Sequence, residues 1–179
     1  MGVRPVHFEK FSWEELCPLA FQALGTTGGL LLVTQGKEHA ATNVMTIGWV
    51  SFGVVWGRPV ACVLVRPSRF THVLLEETLL FTINVPPTHL RKAVEECGKY
   101  SGRTMNKFTH CALTPVYLGG FPVPSIAECV ATVQCAVVEK TRVEPSTLVP
   151  LIQETYYPQG DYHTIYFGEI QASWKRVEP

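Results

Sequence analysis

Charge is scarce in this chain. Aspartate, glutamate, lysine and arginine make up 17% of its 179 residues, against about a quarter in an ordinary soluble domain. What charge there is cancels, 15 basic residues against 15 acidic. No basic block or stripe occurs, so nucleic-acid binding has no electrostatic footing. Long hydrophobic runs are missing too. The compact run Leu30–Val33 falls far short of the ~20 apolar residues that span a bilayer. The opening M-G-V-R-P-V-H-F lacks the apolar stretch, about 7–15 residues long, of a secretory signal. The expectation is a cytoplasmic protein with no membrane partner.

No C-x-x-C occurs among Cys17, Cys62, Cys97, Cys111, Cys129 and Cys135. Zinc ligation has little support, and no metal site is expected. In a reducing compartment these thiols are expected to stay free and to serve mostly as small core hydrophobes, Cys97 being the least settled. Four further patterns are absent. Without G-x-G-x-x-G after a strand there is no Rossmann half, and without G-x-x-x-x-G-K-[ST] no Walker loop. The G-x-S-x-G nucleophile elbow and the H-E-x-x-H zinc pair are missing as well.

What is present is apolar: 46% of the residues are hydrophobic. That excess fits either an oligomer or a well-packed monomer. The length suits a single domain, 1–179, with a sizeable core. Ser12 opens a capping box, S-W-E-E, and predicts a short helix over about Trp13–Leu19, ended at or just beyond Pro18. A turn at Gly25–Gly29 leads to a strand, Leu30–Gln35, and a tight turn at Gly36-Lys37. Further strands are expected at Thr42–Phe52, Pro59–Arg66, Leu79–Val85, Leu113–Tyr117, Ala127–Glu139 and Thr164–Trp174. Ser68 reads as the N-cap of a helical turn or two over Thr71–Glu77. Thr88 reads as the cap of a helix whose Leu90, Ala93, Val94 and Cys97 share one face, with Gly98 as its stop. Strands dominate and helices are few, which predicts a mainly-β barrel or sandwich.

Four segments carry candidate chemistry. Asn43–Trp49, N-V-M-T-I-G-W, offers alternating side chains and backbone amides to a flat polar ring, with Trp49 able to cover it. By itself it is also an ordinary strand with an Asn at a bulge. Arg66–His72, R-P-S-R-F-T-H, places Ser68 and Thr71 at a helix start, where free N–H groups and the dipole favour phosphate. Arg66 and Arg69 add charge and fork geometry. Cys97–Phe108, C-G-K-Y-S-G-R-T-M-N-K-F, crowds two glycines, hydroxyls and three cations into a loop suited to a phosphorylated small molecule. Phe108 can anchor that loop and direct Lys107 inward, although most lysines stay at the surface. In D-Y-H-T-I-Y-F-G, His163 stands at the entrance to a strand, placed to hydrogen-bond a ligand or donate a proton.

Taken in order, these segments with F-T-I-N-V-P, I-A-E-C-V-A and H-T-I-Y-F-G-E-I resemble the flavin reductase-like family of FMN-binding split barrels. The similarity is strongest to the flavoredoxin-type branch and runs from about Leu30 to Ile170. The resemblance implies a six-stranded antiparallel split β-barrel with a few short helices. It also implies a homodimer with one FMN per subunit near the interface. Asn43, Val44, Met45 and Thr46 would line the isoalloxazine ring, largely through backbone groups, with Trp49 beside it. Arg66, Ser68 and Thr71 would hold the phosphate or ribityl chain. Ser101 and Lys107 would close over the phosphate side, and His163 would sit near the reactive face to position or protonate. The implied activity is an FMN oxidoreductase with NAD(P)H as a transient hydride donor, or an electron carrier reduced by a protein partner. One departure stands out: the family's G-R-D-x-D-K-F here reads G-R-T-M-N-K-F, so Thr104 and Asn106 replace two carboxylates beside Lys107.

Overall fold

The computed structural model describes residues 6–37 and 41–177. In chain order the elements are β1 (His7–Lys10), α1 (Trp13–Thr27), β2 (Leu30–Gln35), β3 (Thr42–Ile47), β4 (Val50–Val55) and β5 (Arg58–Val65). Then come α2 (Phe70–Thr78), β6 (Leu80–Val85), α3 (Arg91–Lys99), α4 (Lys107–His110), β7 (Pro115–Val116), β8 (Ser125–Ile126), β9 (Ala131–Arg142), α5 (Pro150–Tyr156) and β10 (Thr164–Val177). One antiparallel sheet follows the path β3-β2-β6-β9-β10-β5-β4, and β1 adds to β10. With β1 it holds eight strands where six were expected; β7 and β8 form a separate pair. The class is the expected one, a mainly-β antiparallel split barrel with few helices.

β10 is the organiser. It pairs with β9, β5 and β1, and its register shifts at Phe167/Gly168 and Ile170/Ala172. Such bulges bend a strand and let one ladder curl into a barrel. The path ends at β3 and β4, which do not pair with each other although only Gly48 and Trp49 separate them. The sheet therefore does not close through this pair, and β3 keeps a free edge.

Leu30, Leu32, Met45, Val63, Phe81, Ile83, Val133 and Tyr166 fill the barrel, with α1 packed on it through Leu16, Ala20 and Ala23. A second apolar cluster joins Leu31, Val33 and Val44 to Val94, Cys97, Phe108 and Ile126. β2 thus buries both of its faces, which is why Leu30–Val33 reads as a continuous apolar run. Among the described residues no helix is long and apolar enough to cross a membrane.

Several expectations need correction. α1 does not stop at Pro18 but runs on to Thr27 and ends at Gly28, whose φ of 83° is left-handed. A mid-helix proline removes one backbone hydrogen bond. Here that loss is outweighed by the buried stripe Leu16, Ala20, Ala23 and Thr27, at helical spacing. The helix also takes in the first half of the expected Gly25–Gly29 turn. Thr42–Phe52 is two strands, broken at Gly48-Trp49. Ser68 does not cap α2; the N-cap is Arg69, with no side-chain cap bond. Thr88 opens a one-turn 3-10 segment, and α3 begins only at Arg91 and passes Gly98 to end at Lys99. The strand Leu113–Tyr117 shrinks to Pro115–Val116. The Gly36-Lys37 turn is a longer connection, closed by Gly36 N–H donating to the Ala41 carbonyl at 3.0 Å; residues 38–40 lie outside the described set.

Candidate functional site

All four candidate segments meet beside β3. A cavity of about 110 Å³ is lined by Asn43, Met45, Thr46, Ser68, Thr71, Ser101 and Lys107, together with Arg69, Phe70 and Cys97. A second, of about 160 Å³, is lined by Met45, Thr46, Trp49, Arg66, Arg69 and His163. Met45, Thr46 and Arg69 border both, so the two form one trough along the free edge of β3. Val44 is the exception: its side chain is fully buried in the second core cluster. Only its backbone can face the trough.

Local structure explains each placement. β3 is a terminal strand, so its outer backbone edge is not used by the sheet. Asn43 is pinned by its Nδ2 donating to Thr71 Oγ1 at 2.8 Å. Thr46 Oγ1 donates to the Val94 carbonyl, which fastens α3 to β3. The first residues of α2 (Phe70 and Thr71) line the cavity, so the positive end of that helix dipole faces it. The loop after α3 folds back closely. A Cβ on Gly102 would collide with Asn43 Oδ1 and stand 3.0 Å from Phe70 Cδ1, so a side chain there would push the loop off the strand. Arg103 clamps the same turn, donating to the Ser68 carbonyl at 2.8 Å and lying over the Phe70 ring.

Lys107 is the electrostatic centre. Phe108 is buried in the second cluster and draws α4 inward, leaving Lys107 only 4% exposed. Its Nζ donates to the Cys97 carbonyl at 3.0 Å. Burial pushes its ammonium down to about 8 from the ordinary 10.5, the nearby Cys97 opposing and Arg69 adding to the shift. Among the described residues no carboxylate forms an ion pair with it. Buried cations are rarely left unpaired, and a bound anion is the natural complement. The departure at Asn106 leaves α4 capped. Asn106 is the N-cap of α4, its Oδ1 accepting from Thr109 N–H at 3.2 Å, a task that needs no charge.

Two assigned residues are otherwise engaged. Arg66 donates from Nη2 to the Tyr156 carbonyl at 2.7 Å and from Nη1 to the Asp161 carbonyl at 3.1 Å, and it lies over the Tyr157 ring. It holds the 156–163 segment against the trough. Ser68 donates its hydroxyl to Asp161 Oδ2 at 2.6 Å, and its N–H reaches Oδ1 at 3.2 Å. Asp161 stands in the left-handed region at φ 57°, a position asparagine and aspartate tolerate better than most residues.

His163 is buried, bonded through Nδ1 to the Tyr157 hydroxyl at 2.8 Å and packed against Trp49 at a 4.7 Å centroid separation. Burial, reinforced by Arg66, pushes its imidazolium down to about 4. It is therefore neutral at physiological pH. A Tyr157 hydroxyl that donates to Nδ1 leaves the ring proton on Nε2, as a hydrogen-bond donor and not a cationic acid. Of the two expected roles, positioning fits and protonation by an imidazolium does not. Between pH 6.5 and 4 the unfolded chain binds a proton at this residue that the folded chain refuses, so stability falls as pH drops through that window. Urea unfolding at pH 7 and pH 4.5 should show this loss in the wild type and a smaller one in His163→Gln. Equal losses in both proteins would count against it.

The set implied by the resemblance leaves out Phe70, Tyr100 and Gly102, and also Arg69, which the sequence offered only as added charge. Arg69 and Phe70 lie inside a motif already singled out, and only strand-to-helix geometry shows that they face inward. Asp161 opens a segment already singled out, but its partner Ser68 lies 93 positions away, and Tyr157 lay outside every segment singled out.

The family model for the flavin reductase like domain matches residues 24–178, and the chain belongs to that family. An uncharacterized protein of Archaeoglobus fulgidus is 36% identical over 139 residues, 78% of this chain and 67% of that protein. Two solved structures share the fold. One is an FMN-binding domain of a flavin reductase-like enzyme from Shewanella baltica, with a TM-score of 0.66 at 20% identity, covering 95% of this chain and 78% of that one. The other is flavoredoxin of Desulfovibrio vulgaris, with a TM-score of 0.65 at 23% identity, covering 84% of this chain and 69% of that one.

Proposed function

We propose that the chain binds FMN in the trough and works as an FMN-dependent oxidoreductase that takes hydride from NADH or NADPH. The observation that carries this reading is Lys107: a buried cation with no carboxylate partner among the described residues, in a cavity rimmed by hydroxyls and a helix N-terminus. That donor set fits a phosphate monoester. Lys107, Arg69, Ser101 and Thr71 would hold the phosphate and its chain. The free backbone edge of Asn43, Val44, Met45 and Thr46 would meet the edge of the flavin ring. Bound FMN supplies the redox chemistry, accepting hydride and passing electrons on. The protein's own residues orient it and shield it. Trp49 packs on His163 and, edge-on at 5.0 Å, on Tyr156, forming an aromatic wall on one side. Neutral His163 offers a hydrogen-bond donor without adding a charge. Arg66 fixes the segment that carries both His163 and Tyr156.

A homodimer is the proposed working unit. Val54 in the terminal strand β4 and Trp56 just after it are each 64% exposed, and Leu151 on α5 is 72% exposed. Apolar side chains this exposed are what a second copy would cover.

The test is anaerobic titration of the purified, FMN-loaded protein. NADH or NADPH should bleach the oxidised-flavin absorption, and sedimentation of the same sample should give twice the 19.9 kDa chain mass. Bleaching by dithionite but by neither nicotinamide would replace the reductase with an electron carrier reduced by a protein partner. A preparation that retains no flavin when loaded with FMN would sink both readings.

A further inference from the structure

Two thiols beside the trough have no part in the function above. The Cys97 thiol points at Cys111 Sγ, 3.7 Å away, and the Cys111 thiol at the Ala93 carbonyl, 3.9 Å away. Cys97 sits on α3 and is 1% exposed; Cys111 ends α4 and is partly exposed. Between them lie Gly98 to His110, the whole glycine-rich loop and the helix that carries Lys107. Cys129 lies in the same apolar cluster as Cys97 but, like Cys135, is fully buried, and no sulfur partner is found for Cys17 or Cys62 among the described residues.

We infer that Cys97 and Cys111 are a redox-active pair, and that a peroxide converts them to a disulfide which closes a ring around the loop walling the trough. The two sulfurs are in non-bonded contact at 3.7 Å, so forming the ~2.05 Å bond requires side-chain rotation and an approach of α3 and α4. Cys111, the more accessible, attacks hydrogen peroxide. The O–O bond breaks, a sulfenic acid forms on Cys111 and one water leaves. Cys97 Sγ then displaces the sulfenic oxygen, the S–S bond forms and a second water leaves. The two thiols give up two electrons and two protons, and the peroxide takes them. A dithiol reductant reverses the change by exchange. Burial holds the Cys97 thiol up at about 12 and raises that of Cys111 as well. Few thiolates are present at neutral pH, so the pair answers to sustained peroxide and not to traces.

The consequence falls on the loop. The carbonyl of Cys97 already receives Lys107 Nζ, so the tether fixes the same turn that fixes the cation. A closed ring restricts the unfolded chain and the opening of the loop alike. The oxidised protein is therefore more heat-stable, and under the reading above it releases FMN more slowly.

The experiment uses the full ligand-free chain, so its outcome does not depend on the flavin assignment. The protein is treated with hydrogen peroxide, quenched with catalase, capped with N-ethylmaleimide and digested with trypsin without reductant. Lys99, Arg103 and Lys107 lie between the two cysteines, so trypsin separates them unless a bond joins them. Mass spectrometry should find the Cys97 and Cys111 peptides linked, lighter by two hydrogens than their sum. Oxidation should raise Tm by roughly 5 °C, and dithiothreitol should reverse it. Cys111→Ser should abolish the link and the Tm rise, while Cys17→Ser keeps both. Recovery of Cys97 and Cys111 as capped thiols or as separate sulfinic acids, at a dose that oxidises Cys62, would overturn the proposal. The wild-type digest decides this even if Cys111→Ser does not fold.

Discussion

Lys107→Met should weaken FMN binding by about 1.5–3 kcal/mol, roughly ten- to a hundredfold, the scale of a charge-assisted hydrogen bond. It should do so without destabilising the ligand-free protein. Lys107 is 4% exposed, and its ammonium donates to the Cys97 carbonyl. An ammonium held there loses hydration that a single carbonyl does not restore. Methionine fills similar space without that penalty, so the ligand-free variant should unfold at equal or higher urea. pH separates this account from a packing effect. The folded-state value of about 8 lies below the ordinary 10.5. Between those values the unfolded chain holds a proton that the folded chain lacks. Wild-type stability without ligand therefore rises with pH across that window, and the burial penalty is fully present below it. FMN needs the protonated form, so its affinity should be highest below about pH 8 and decline above. Isothermal titration at pH 7 and pH 9 would show that decline in the wild type and not in Lys107→Met. A variant that binds FMN as tightly as the wild type would remove Lys107 from the anion site.

Gly168→Ala should destabilise the fold by about 2–3 kcal/mol and lower Tm by about 5–10 °C, the scale of overpacking in a core this size. Gly168 stands at the first bulge of β10, between Ala61 of β5 and Val137 of β9. A Cβ there would run into the Phe81 ring, 2.6 Å from Cε1, and lie 2.9 Å from Cβ of Cys135. Phe81 and Cys135 are fully buried, so neither side chain has room to retreat. The missing side chain lets a phenylalanine lie across the strand where the barrel turns. Phe81→Leu should partly rescue Gly168→Ala, and the double-mutant cycle should show a coupling well above the additive sum. Thermal unfolding of the four proteins measures it. A Tm change within a degree for Gly168→Ala would show that the barrel yields at this point.

The two predictions draw on different levels of information. Lys107 was legible in the sequence as one cation in a glycine-rich loop next to an aromatic residue. Its burial and lack of a carboxylate partner were not, because both depend on how far Phe108 pulls α4 into the second core cluster. Gly168 carried no signal at all. Its role needs Phe81, 87 positions earlier in the sequence, brought onto the same barrel wall by strand pairing. Pro18 failed as a stop signal for a related reason. Local propensity argued for a break, while the buried stripe of α1 gained its energy from contacts with strands that local reading cannot see.

What the sequence determined alone was the content of the molecule: strands where β-branched and apolar residues run, a capped first helix, and three donor-rich segments in a recognisable order. Those features are written in near-neighbour chemistry, where dihedral preference and side-chain type act within a few residues. Tertiary structure alone decided which donors face the trough and which are occupied. It turned Arg66 and Ser68 toward the 156–161 segment, sent Val44 into the core, left His163 neutral beside Tyr157 and brought Cys97 within reach of Cys111. Desolvation and pairing set those outcomes, and both depend on chain segments that meet only when the barrel closes.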